Sequence, residues 1–273
     1  MKQGIGFVFL ILSLLCQGAS LNAESCVPKN SPDTFPEHTF TRVLLVVAME
    51  DEAAPIIKTL GLKESPDAFP KLPMKGYAGK YANLDIFLII NGEDPVYDVQ
   101  NVGTQASTLT TYLGIEFFHP DLVISVGTAG GISEKGAHIN DIYTSTKIYF
   151  HARRIPIPCY AEYGLGGYSS KIFDYIIQKM NLKRGNICSS DSFDTTKIDR
   201  DIILKNGCAV IDMESAGVAW VSMLMKIPML AIKGITDTDG NKNNTEVFQK
   251  NFVSVTSKLA ESVAEFLQYL KKD

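Results

Sequence analysis

The sequence predicts an α/β fold: a three-layer sandwich with a mixed, mostly parallel central sheet. Near-continuous apolar runs such as RVLLVVAM, DLVISVG and PMLAIKGI have the pattern of strands covered on both faces. Segments with helical spacing alternate with these runs, which places helices on both sides of a largely parallel sheet. Glycines and acids stand where the apolar runs stop, and an open α/β sheet collects its ligands at the carboxyl ends of its strands.

The chain has 273 residues, 45% of them hydrophobic, which suits one globular domain with a real core. Its net charge is −4, and its basic clusters are no longer than the pairs Arg153-Arg154, Lys183-Arg184 and Lys271-Lys272. Phosphate backbones need concentrated positive charge, so nucleic acid is disfavoured as a partner.

Lys2, an apolar run over residues 5–16 and the small residues Gly18, Ala19, Ser20 and Ala23 read as a secretory signal peptide, cut after Ala19 or Ala23. The run is too short for an ordinary membrane-spanning helix. Gly, Ser, Pro and Asn crowd residues 18–36 and detach it from any core. The expected organisation is a signal peptide over residues 1–23, an extended Pro- and Ser-rich leader over 24–41, and a single domain over 42–273. The expected location is the periplasm or outside the cell, with no membrane contact after cleavage. Of the five cysteines, Cys16 leaves with the signal. Cys26, Cys159, Cys188 and Cys208 are free to oxidise after export, but their spacing fixes no pairing and fits no zinc site. Cys188 and Cys208 read as small buried hydrophobes at strand ends.

The first strand, over residues 42–49, runs into the helix EDEAAPIIKTL, which has Ile56, Ile57 and Leu60 on one face and Gly61 as its stop. Residues 76–82 and 84–91 read as two strands of a hairpin. Residues 101–115 read as a helix of small residues packed close to the sheet. DLVISVGTAGGI reads as a buried strand emptying into a glycine turn, and DIYTSTKIYF as a further strand. A Gly/Tyr loop is expected over residues 160–167, a helix over 171–180, and a strand into a loop at GNICSSDSF. The stretch over residues 210–240 reads as strand end, helix, Pro-containing turn, buried strand and polar loop. An amphipathic helix over residues 245–272 closes the chain.

Four motifs end strands. AMEDE (residues 48–52) brings three acids. Glu50 or Asp51 is explained by the helix N-terminus that follows, whereas Glu52 is placed to point back over the strand ends. GTAGG (127–131) lets backbone approach a ligand, or is simply a tight turn. It is neither a Walker loop nor a G-x-G-x-x-G loop. In DME (212–214) and TDTDG (236–240), Asp212 reads as a helix cap and Asp239 as a turn residue. For Glu214 and Asp237, capping or turn formation competes evenly with chemistry.

Taken together and in order, AMEDE, GTAGG, SSD (189–191), DME and TD resemble the purine nucleoside phosphorylase/nucleosidase superfamily. Within it they resemble the 5′-methylthioadenosine/S-adenosylhomocysteine nucleosidases. The resemblance covers residues 43–267. HARRIPIP (151–158) resembles the plant-type methylthioadenosine nucleosidases, which carry HDRRIPIP there. The resemblance implies a nucleoside phosphorylase-like fold and hydrolysis of an N-glycosidic bond. Glu52 matches the glutamate that positions and deprotonates water, and Asp237 the aspartate that binds adenine and protonates N7. Glu214 matches the glutamate that grips the ribose hydroxyls. Met49 and Met213 fall on substrate-binding positions, Met213 against the sugar. Thr128, Ala129 and Gly130 match the loop beside ribose and base, and Phe193 a wall on adenine.

Such chemistry needs an acid with a raised pKa to neutralise the departing purine, and a second carboxylate that is ionised at the same pH. Ser125 stands where phosphorolytic relatives carry an arginine. The acids of AMEDE stand where those relatives hold phosphate, which favours water over phosphate. Two positions depart from the family pattern: Ser190 replaces the glycine of SGD, where a positive φ is a concern, and Ala152 replaces the aspartate of HDRRIPIP. Asp191 is read as fixing its loop. The resemblance also implies a homodimer in which a neighbour's loop closes the alkylthio pocket, with the regions 97–112 and 155–160 as contributors. No metal or organic cofactor is expected, because His38, His119, His138 and His151 are scattered. The alternatives are another purine nucleosidase, a nucleoside phosphorylase, or a non-catalytic storage-type relative that has no reason to keep Glu52, Glu214 and Asp237 together.

Overall fold

A computed structural model describes residues 39–239 and 244–270. The predicted signal peptide, Cys26 and His38 lie outside the described residues. In chain order the elements are β1 (Arg42–Val47), α1 (Glu50–Leu60), β2 (Lys63–Glu64), β3 (Lys75–Tyr81), β4 (Leu84–Ile90), β5 (Glu93–Asp94), β6 (Val99–Gln100), α2 (Thr104–Phe118), β7 (Leu122–Gly131), β8 (Ile142–Phe150), α3 (Tyr160–Leu165), β9 (Gly166–Ser169), α4 (Asp174–Lys179), β10 (Lys183–Ser189), α5 (Lys197–Lys205), β11 (Cys208–Asp212), α6 (Ser215–Met225), β12 (Met229–Thr238) and α7 (Asn244–Leu270).

The main sheet runs β11-β10-β8-β12-β7-β1-β4-β3-β2. The pairs β1–β4, β1–β7, β7–β12, β8–β10 and β10–β11 are parallel. Antiparallel pairs join β8 to β12 and extend the margins through β3, β2 and β9. β11 also pairs antiparallel with β7, Ile211 opposite Gly130, which curls the far half of the sheet back on itself. This agrees with the expected mixed sheet.

The alternation of β1 explains the layers. Val43, Leu45 and Val47 face a core shared with Ile56 and Leu60 of α1 and with Leu259, Val263 and Phe266 of α7. Leu44 and Val46 face the opposite core, with Ile115 and Phe118 of α2 and Val218 of α6. Successive strand side chains point to opposite faces, and burying each of these aliphatic groups stabilises by roughly 2 kcal/mol. Gly61 ends α1 in the left-handed conformation at φ 64°, as its position predicted.

Several local expectations change. GTAGG is not a turn: β7 continues through Gly131, because β12 and β11 supply partners for its backbone. The Gly/Tyr loop contains the short α3 and the strand β9, and the helix expected over 171–180 is only α4. Helix α5 was not among the expected elements, and its Thr196/Asp199 capping box is a signal that sequence reasoning passed over. Cys188 and Cys208 are fully buried, as expected, but they are joined in a disulfide with Cα atoms 5.8 Å apart. No helix among the described residues is long and apolar enough to cross a membrane.

Candidate active site

The strand-end motifs meet because β1, β12 and β11 all pair with β7. Glu52 lies in the first turn of α1, 3% exposed. Its Oε1 accepts hydrogen bonds from the backbone N–H and the hydroxyl of Thr128, both at 2.6 Å. A Cβ at Gly127 would stand 3.2 Å from both Glu52 carboxylate oxygens, so glycine there leaves the carboxylate its seat. Burial pushes the Glu52 pKa up, and the Thr128 bonds oppose this. Met49 precedes α1 and accepts the N–H of Ala53.

Asp237 faces the same strand further along. A register shift between Ile235 and Asp237 leaves Thr236 as the extra residue opposite Ala129 and Gly130. Such bulges re-aim side chains. The Thr236 hydroxyl lies 2.9 Å from Asp237 Oδ1 and 3.2 Å from the Ala129 carbonyl. Asp237 Oδ2 is 3.4 Å from where a Gly130 Cβ would stand. Burial raises the Asp237 pKa, against the Thr236 hydrogen bond.

Glu214 follows β11, and its Oε1 accepts the Gly103 N–H at 2.9 Å. Burial carries its pKa to about 7. Lys233 opposes that rise, and Asp212 and Glu52 add to it. Met213 is partly buried beside it. Asp212 does serve the start of α6, accepting the Ser215 N–H at 3.0 Å, but it has a second role as the ion-pair partner of Lys233 at 2.9 Å. Asp239 holds Ser133 N–H at 2.8 Å and pairs with Arg200, as a turn-fixing acid should.

Lys233 was missed by sequence reasoning. Its side chain is among the largest of those fully buried in the described residues, 1% exposed. A lysine inside the apolar run MLAIKGI was the available signal, since lysine is almost never fully buried without a partner.

The SSD loop behaves as read at Asp191, whose carboxylate accepts the Thr104 N–H at 2.6 Å and the Thr104 hydroxyl. It thereby ties the loop to the start of α2, next to the Gly103 that holds Glu214. Ser190 does not adopt positive φ. It is buried, and its hydroxyl bridges to the backbone of Ser192, so the loss of glycine costs no strain. Phe193 is 52% exposed, edge-on to Phe248 of α7 at 6.0 Å. A cavity of about 630 Å³ adjoins this loop, lined by Thr104, Phe150, Arg153, Ser190, Asp191 and Trp220 among others, and by none of the three proposed acids. Ser125 is buried with its hydroxyl 3.3 Å from that of Ser215. His119 ends α2, His138 is exposed near Asp141, and His151 is 3% exposed.

Comparison with known proteins shows the family. The Phosphorylase superfamily profile matches residues 42–268. A 5′-methylthioadenosine/S-adenosylhomocysteine nucleosidase of Arabidopsis thaliana is 39% identical over 231 residues, covering 84% of this chain and 91% of its own. A 5′-methylthioadenosine nucleosidase from the same plant is 35% identical over 231 residues, covering 84% of this chain and 86% of its own. The solved apo structure of an Arabidopsis thaliana 5′-methylthioadenosine nucleosidase superposes with a TM-score of 0.84 at 34% identity, covering 86% of this chain and 98% of that one. With the strand-end motifs gathered on β7 as they are, the chain belongs to the phosphorylase superfamily and, within it, to the 5′-methylthioadenosine/S-adenosylhomocysteine nucleosidases.

Proposed function

We infer that this protein hydrolyses the N-glycosidic bond of 5′-methylthioadenosine, with or without activity on S-adenosylhomocysteine, giving adenine and the 5-thioribose product. The observation that carries the reading is the seating of Glu52 and Asp237 against one glycine-containing strand, with the Asp237 pKa raised by burial as the proton donor requires. In this reading Asp237 delivers a proton to purine N7, so the base leaves neutral. Glu52 orients the attacking water and takes its proton. Glu214 grips the ribose hydroxyls and steadies the cationic sugar, as 2-OH contacts do in O-glycoside hydrolysis. Met49, Met213, Thr128, Ala129 and Gly130 line the sugar and base, and Phe193 walls the adenine. Each of the two proton transfers supplies roughly 10²–10⁴-fold. The buried Ser125 and the acids at the end of β1 offer no cation to a phosphate nucleophile.

The test is to incubate purified protein without phosphate with 5′-methylthioadenosine, S-adenosylhomocysteine, adenosine and inosine, and to separate free bases by chromatography. Adenine from 5′-methylthioadenosine is expected, lost in Asp237→Asn. Base release that requires phosphate would assign the chain to the phosphorolytic branch.

Export, a role in methionine salvage from scavenged nucleosides, and homodimerisation belong to the same proposal. The buried Cys188–Cys208 disulfide supports export, because such bonds persist in oxidising compartments. Cys159 is disulfide-bonded as well. Leu109, Tyr112 and Phe117 on α2 and Leu224 on α6 are exposed apolar groups and support a second copy docking on that helical layer. Fractionation of the source cells with an intact mass, and sedimentation of the purified protein, test these points. Uncut protein in the cytosol would overturn export, and a monomer at micromolar concentration would overturn the dimer.

A further inference from the structure

Lys233 is a full charge placed where no solvent reaches it. It sits in β12, between Ile232 and Gly234, in a strand covered on both faces. An ammonium in such a place survives only with anionic partners. Three carboxylates act on it: Asp212, then Glu214, then Glu52. Among the described residues only Asp212 makes an ion-pair contact with it, at 2.9 Å, while Lys233 stands in register beside Gly127, the glycine against which the Glu52 carboxylate is seated. Asp212 is itself locked by the hydroxyls of Ser189 and Ser215 and the N–H of Ser215. The ammonium is therefore fixed and cannot follow a substrate.

The charge count gives this arrangement a consequence for the reaction. With all groups ionised, three negative charges share one positive charge. Burial works against ionised Glu52 and Glu214, and Lys233 is the cation that works the other way on both. Burial weakens the hold of Lys233 on its proton, and the three acids more than offset this. Asp212 has the opposite effect on Glu214, because a neighbouring anion favours the protonated acid. The other charged groups facing this cluster are few. His151 is pushed toward its neutral form by burial, with Asp199 and Asp212 opposing that and Arg154 adding to it. Asp237 lies outside the cluster, with Thr236 as the other contributor to its shift besides burial.

Resting on the hydrolytic reading above, we propose that Lys233 is a positioning residue for the reaction: its fixed, buried ammonium, anchored by Asp212, favours the ionised forms of Glu52 and Glu214 against burial, for water activation and ribose binding. It acts through those two glutamates, without itself touching the reacting atoms. Asp212 sets how much of the lysine's field reaches them.

The experiment is the pH profile of kcat/KM for 5′-methylthioadenosine from about pH 5 to 9, for the full chain and for Lys233→Met, Lys233→Arg and Asp212→Asn, with thermal unfolding of each. kcat/KM reports the ionisations of the free enzyme. Lys233→Met should move the acid limb to higher pH by about one unit or more, with much of the activity regained in alkali. Lys233→Arg should keep the limb where the wild type has it. Asp212→Asn should move it to lower pH. A uniform loss at every pH in Lys233→Met, or shifts of the same sign in Lys233→Met and Asp212→Asn, would overturn the proposal in favour of a purely structural lysine. Should Lys233→Met fail to fold, the Arg and Asn variants still decide, because Asp212→Asn must shift the limb downward and Lys233→Arg must not shift it. Titration of side-chain-carboxyl ¹³C-labelled glutamate by NMR follows the same ionisations without turnover. If the wild type has no hydrolase activity, this separates failure of the functional reading from failure of the proposal.

Discussion

Replacing Glu214 by glutamine should separate what the site needs from what the fold needs. The ordinary value for the glutamate carboxyl is 4.5, and burial brings Glu214 to about 7. The folded chain therefore holds this proton more tightly than the unfolded chain. Stability from this group is full below about pH 4.5 and is lost as the pH rises through about 7. At about 1.4 kcal/mol per pH unit the loss approaches roughly 3 kcal/mol above pH 7. Glu214 retains some solvent contact, which makes that figure a ceiling. Glutamine keeps an oxygen for the Gly103 N–H but carries no charge. Urea unfolding at about pH 5 should find wild type and Glu214→Gln within about 1 kcal/mol of each other. At about pH 8 the variant should be the more stable by about 1–3 kcal/mol, while hydrolysis falls by roughly 10²-fold or more. A variant less stable than wild type by the same amount at both pH values would refute the reasoning, because it would show Glu214 to be an ordinary structural carboxylate.

Other consequences follow from single contacts. Gly127→Ala puts a Cβ 3.2 Å from both oxygens of Glu52. It should lower kcat by roughly 10–100-fold with little change in unfolding, since small misplacements of a catalytic group carry such costs. A wild-type kcat would show that Glu52 is not held by that strand. The double change Cys188→Ser, Cys208→Ser opens a loop with a sequence separation of 20 and should cost about 3 kcal/mol in urea unfolding; a variant as stable as the oxidised wild type would contradict this. Asp191→Ala frees the Thr104 N–H and hydroxyl at the start of α2. It should cost about 1–2 kcal/mol of stability and raise KM through Gly103 and Glu214. An unchanged KM would confine Asp191 to the fold.

What the sequence made legible follows physical rules. Runs such as RVLLVV announce themselves because both faces of a central strand are apolar, and Gly61 marks a helix end because few other residues accept its φ. Glu52, Glu214 and Asp237 were findable because each acid stands where an apolar run ends. GTAGG was misread as a turn because its hydrogen-bonding partners, β11 and β12, are contributed by chain about 80–110 residues away, which no local pattern reveals. Lys233 was overlooked for the same reason: its partner Asp212 is on another strand. The disulfide illustrates the limit from the other side. Burial of Cys188 and Cys208 was readable, while their pairing depends on the register of β10 against β11.

The most direct test of the central claim is where the oxygen on the sugar product comes from. With 5′-methylthioadenosine in phosphate-free ¹⁸O-water, mass spectrometry of the thioribose should show one heavy oxygen, adenine should appear in equal amount, and Glu52→Gln should release neither. Adenine release at wild-type rate from Glu52→Gln, or a sugar product that forms only as a phosphate ester, would contradict the account.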